Sequence, residues 1–138
     1  MDTAAATRLA GKLSAQQKSL CQYVAARLLR DYPELTRTLR LEENYQPAER
    51  LSEVAVERFS ELVRSVLLFE LPSLADRELT WAHGVLPRHG VTVQHQAAMV
   101  RWYFEELRRL PLSGPEQELT REIEQYMLAV VQQVHSRN

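Results

Sequence analysis

Three histidines, His83, His89 and His95, are the residues whose type and even spacing could do chemistry, because three imidazoles suffice to hold a zinc ion. Intervals of six place successive members about 240° apart on a continuous helix, and Pro87 and Gly90 fall between them. They therefore do not converge on one ion. The acidic pairs Glu42–Glu43 and Glu105–Glu106 are adjacent in sequence and point apart on a helix, so neither supplies the converging acid and base that proton transfer requires. The single cysteine, Cys21, sits among apolar residues and reads as a small core hydrophobe rather than a reactive thiol. A nucleophile elbow, a phosphate-binding glycine loop and a paired-histidine zinc motif are all absent. No catalytic apparatus is legible, and the chain reads as something other than an enzyme, with a helical-bundle enzyme as the remote alternative.

The histidines lie in the stretch that organises the chain, Leu71 to Leu110, which reads as helix, corner, helix. Ser73 is the expected cap of the first helix, and Asp76 complements its positive dipole end. Leu71, Leu74, Ala75, Leu79, Ala82, Val85 and Leu86 recur at helical spacing. Gly84, Pro87 and Gly90 are expected to end it. Thr92 should cap the second helix, whose face runs Val93, Ala97, Val100, Phe104, Leu107.

Upstream, residues 1–13 read as a short Ala-rich helix or arm weakened by Gly11, followed by a separate helix opened by a Ser14–Gln17 capping box and ended at Pro33. Glu34 to Tyr45, with Leu39 and Leu41, reads as a short helix or a packed loop. Pro47 opens a long helix to about Glu70 through Val54 and Phe59, and its apolar end VLLFELP must be covered from more than one side. The last helix enters through Ser113, Pro115 and Glu116 and carries the stripe Leu119, Ile123, Tyr126, Met127, Val130, Val131, Val134. No stretch alternates like a strand. The expected fold is all-α, a single domain over 1–138 with a core at 15–135 and about six to eight helices.

At 138 residues and a net charge of -1 the chain is one ordinary domain without a field for polyanions, so nucleic acid is not an expected partner. Its 15 Arg and 2 Lys are interleaved with acids along helices, as on a solvated face. No apolar run approaches the ~20 residues of a membrane span and no signal peptide is visible, so the expected location is cytoplasmic.

The helix ending in VLLFELP, then LADRELTWAHGVLP, the corner RHGVT and the closing amphipathic pair together resemble the bacterial sensor globins. The likeness runs from about Gln16 to His135 and is strongest to the non-haem globin domains of stressosome sensor proteins and some histidine kinases. It rests on pattern and order rather than on invariant residues. It implies a haem-free sensor or signalling domain of stress response. Such a domain is expected to act through protein contacts, as a homodimer and on another signalling protein in trans, unless the chain is an excised piece of a longer one that carries its own output domain.

The resemblance also bears on ligands. Laying HGVT on the haem-sensor motif brings Leu86 or Val85 to the proximal position, and a match to the vertebrate pattern brings Glu78 there; a histidine arrives only if the register shifts to His83. A haem-binding sensor of a diatomic gas through His83 is thus the alternative reading. Fatty-acid-binding members of the group imply an apolar pocket here, lined by Val66, Phe69, Leu79, Leu86, Val100 and Phe104, with plain core filling as the competing account. A dimer face follows from Trp102, Tyr103 and Phe104 being consecutive, because one flank cannot bury both Trp102 and Phe104. His95, Met99, Trp102 and Tyr103 would form its strip, with Tyr126 and Val130 from the last helix. Cover of Trp102 by the N-terminal segment of the same chain is the other outcome.

Overall fold

In a computed structural model the described residues are 2–38, 49 and 51–136, less the side chains of 37, 38, 54, 89 and 134–136. The order is α1 (Thr3–Asp31), α2 (Leu35–Thr38), a π-helical turn (Ser52–Val56) leading into α3 (Glu57–Phe69), α4 (Ser73–Val85), a 3-10 turn (Leu86–His89), α5 (Val93–Leu107) and α6 (Gly114–Ser136). Among the described residues the fold is all-helical, with five helices longer than one turn, and no helix is long and apolar enough to cross a membrane. Leu39, Leu41, the Glu42–Glu43 pair and the expected start at Pro47 lie outside the described residues, as do the side chains of Val54, His89 and Val134.

The count falls below six because the two expected N-terminal segments are one helix. Asp2 caps it, its carboxylate accepting from the Ala5 amide at 3.0 Å, and Ser14 is an exposed residue in mid-helix. The buried stripe Ala6, Leu9, Leu13, Leu20, Val24, Leu28 keeps one phase through Gly11. Each leucine so buried contributes roughly 1.5–3 kcal/mol, which outweighs the ~1 kcal/mol that a glycine costs inside a helix. Gln17 bonds α3 instead of closing a capping box, donating to Glu61 and accepting from Ser60. This helix packs against α3, α5 and α6, so the core lies along it.

Two further corrections concern helix ends. Gly84 lies within α4, which Ser73 begins as its first residue behind Pro72 without a side-chain cap. Pro87 and Gly90 make the stop, with Gly90 at φ 84° where glycine carries no Cβ penalty. The end of α3 is covered on one side only: Val66 and Leu67 are buried, whereas Leu68, Phe69 and Leu71 are 48%, 66% and 49% exposed. The Thr92 and Ser113 caps do form. His95 N–H donates to Thr92 Oγ1 at 3.2 Å, and Glu116 N–H donates to Ser113 Oγ at 3.3 Å.

Aromatic rings fill the centre. Phe59, Tyr103 and Phe104 meet edge to face at 5.2–6.1 Å between centroids, and the Tyr103 hydroxyl lies 2.8 Å from that of Ser60. Cys21 joins them as a buried thiol whose pKa burial pushes up to about 12, against a lowering hydrogen bond with Ser60.

Buried Glu116 ties the start of α6 to α1. Lys12 Nζ lies 2.8 Å from its carboxylate and also donates to Pro111 O. The Lys12 hydrogen bond, aided by Ser113, holds that carboxyl below the usual range in spite of its desolvation. A depressed folded-state pKa contributes stability that is complete above the ordinary glutamate range and lost as pH falls through the folded value. Thermal melts between about pH 7 and pH 3 should therefore show Glu116→Gln less stable than the parent at neutrality, by about 1–2 kcal/mol, with the gap closing in acid.

Candidate functional site

The apolar side of α3 is not fully closed by α4. Leu51, Ala55, Phe59 and Leu62 on one wall face Leu79, Ala82 and Leu86 on the other, with Val91 and Met99 behind, around a cleft of about 190 Å³. The α4 wall follows helical periodicity, since residues 78, 82 and 86 are four apart and share a face. At the mouth, Arg58 lies over the Trp81 ring at 4.7 Å and pairs with Glu78 at 3.5 Å. The interior is hydrocarbon and the only charges are on its rim. A lining of this kind suits an apolar molecule held by burial rather than by directed bonds.

Of the six residues expected to line a pocket, Leu79 and Leu86 do so. Val66, Val100 and Phe104 are core residues, and Phe69 projects outward at the end of α3. Sequence periodicity misses Leu51 and Ala55, which reach the cleft from the π-helical turn and the residue before it, a segment that packs on α1 and α3.

The described lining of this cleft offers a haem iron no ligand. The α4 face turned to the cleft offers Leu79, Ala82 and Leu86, and His83, one residue from Ala82, points about 100° away. Among the described side chains, which do not include that of His89, no imidazole lines the cleft. Among the described residues no three His, Cys, Asp or Glu side chains gather as a metal set.

The six expected dimer residues do not form one outward strip. Tyr103 is fully buried against Phe59, and Val130 is buried. Met99 faces the cleft. Tyr126 donates from its hydroxyl to Asp76 at 2.5 Å across α6 and α4, which raises its phenol pKa. Trp102 is half-buried under the end of α1, 6.0 Å from the Tyr32 ring with Arg27 stacked at 4.4 Å, so the same chain covers it.

His95 is buried and belongs to the start of α5. Its Nδ1 accepts from the Thr92 amide at 3.0 Å, and its Nε2 lies 3.0 Å from the Glu34 carboxylate. An amide can only donate, so Nδ1 carries no proton and the neutral ring donates from Nε2 to Glu34. That hydrogen bond holds the Glu34 carboxyl below its usual range. Tyr32 packs edge-on against the imidazole at 4.8 Å.

No family model matches this chain, and no curated protein or solved structure matches it.

Cover of Trp102 within the chain gives a direct test. Trp102→Glu removes a ring pair and a cation–π contact and should cost about 1–2 kcal/mol in urea unfolding, with the sedimentation coefficient unchanged. A wild-type dimer that the substitution splits without loss of chain stability contradicts this placement.

Proposed function

We propose that this chain is a haem-free, globin-like sensor or signalling domain that takes an apolar small molecule between α3, α4 and α5. It acts by protein contact, on a second copy or another signalling chain, and no bond is made or broken. The observation that carries the reading is the cleft: apolar walls, no imidazole among its described lining residues, and charge at the Arg58–Glu78 rim. The order of a central helix, a helix ended by Pro87 and Gly90, and a closing pair supports the globin-like assignment through the family resemblance.

Ligand binding in such a place would change the packing of α4, whose buried residues in the described set are only Ala75 and Leu79. A helix held by few buried contacts is easily shifted, and the α3–α4 corner, with Glu70 at φ 53° and exposed Phe69, moves with it. The expected chain of events is therefore local: the cleft fills, α4 is fixed, and the corner it carries is presented in one arrangement to a partner.

Hexanol tests the reading, being neutral at every pH and short enough for the cleft. Titration should raise the melting temperature and change the fluorescence of Trp81 at the mouth. Ala82→Phe, which fills the cleft from α4, should abolish both effects while leaving the helical circular dichroism intact. Haemin added in parallel should give no Soret shift. A Soret band lost in His83→Ala would overturn the proposal in favour of a gas-binding globin.

A further inference from the structure

His95 lies at the start of α5, where the corner that follows cleft-lining Leu86 and carries Val91 ends. Thr92, which it holds through Nδ1, follows Val91. The Val91 amide donates to Leu86 O at 3.0 Å, and both Val91 and Leu86 line the cleft. Met99, one turn along α5 from His95, lines it too. The bond from Thr92 to Nδ1 is one half of the reciprocal capping box, the other being His95 N–H to Thr92 Oγ1. Glutamate and glutamine are the usual residues at this third position. Histidine does the same work with an acceptor that disappears on protonation.

We propose that His95 is a proton-operated latch on this corner: unprotonated, it closes the capping box and fixes the Leu86–Val91 wall, and a proton on Nδ1 releases it. Protonation leaves the Thr92 amide facing a donor and sets a positive charge at the positive end of the α5 dipole. Glu34 favours the proton by attracting the imidazolium, but its side chain is 56% exposed, and an ion pair so wetted is too weak to keep the corner closed once the cap is lost. The other groups facing the ring are Tyr32, which presents its ring edge, and, one ring further, Arg27, which is engaged by Trp102 and Glu105. Arg88 on the corner is exposed.

The latch stands on its own geometry, and only its effect on ligand rests on the cleft reading above. Nuclear magnetic resonance of the wild type, His95→Gln and Glu34→Gln tests both. As pH falls from about 7.5 to about 5.5, the Thr92 amide and the Leu86 and Val91 methyls of the wild type should move together with the His95 imidazole. His95→Gln, which keeps a capping acceptor that cannot titrate, should show them stationary. Glu34→Gln should move the transition to lower pH, because the charge favouring the imidazolium is gone. Hexanol affinity should weaken about fivefold over the same range in the wild type, the scale of one lost cap, and stay constant in His95→Gln. A Thr92 amide that does not titrate, or that titrates equally in His95→Gln, overturns the latch. Equal hexanol affinity at both pH values overturns its coupling to the cleft. Titration of the corner without hexanol binding at any pH supports the latch and sinks the cleft reading.

Discussion

Everything in this fold leans on the buried stripe of α1. One helix of 29 residues holds a single apolar phase against α3, α5 and α6, so the three helices take their spacing from it. Its polar contacts are set at the ends and the middle of the stripe. Lys12 binds Glu116 and the Pro111 carbonyl at one level, Gln17 reaches Glu61 and Ser60 at the next, and Arg27 pairs with Glu105 beyond. Hydrophobic burial supplies the driving force, and these bonds fix rotation and register, which burial alone leaves free.

The consequence for the site is that α4 is the helix α1 does not organise. It packs on α3 and α6 and buries little of its own surface, which leaves the side facing α3 and the start of α5 incompletely filled. The cleft is thus what remains between the frame of α1, α3, α5 and α6 and a helix, α4, that buries only Ala75 and Leu79. Its walls are apolar because every surface that forms it was selected for a core, and its rim is charged because Arg58 and Glu78 emerge there into solvent.

The sequence makes the helical class, the corner at Pro87–Gly90 and the caps at Thr92 and Ser113 legible, because each depends on local chemistry within one turn. It misleads where a tertiary contact overrides a local signal. Gly11 and Ser14 look like a boundary, yet the α1 stripe runs through them; Gly84 looks like a stop, yet the helix continues to Val85. The cleft was half legible: Leu79 and Leu86 are found by the α4 face, but Val66, Val100 and Phe104 have the same spacing and go to the core. Periodicity tells which residues avoid water and not which helix covers them. Likewise, the role of Trp102 depends on Tyr32 and Arg27, some 70 residues earlier in the chain, which no local pattern links to it.

The central claim is that the cleft, and not the exposed end of α3, is where an apolar molecule binds. Intermolecular nuclear Overhauser effects between hexanol and the methyl groups of the labelled protein distinguish the two. Contacts to Leu62, Leu79 and Met99 are predicted. Contacts confined to Leu68 and Leu71 would contradict the account.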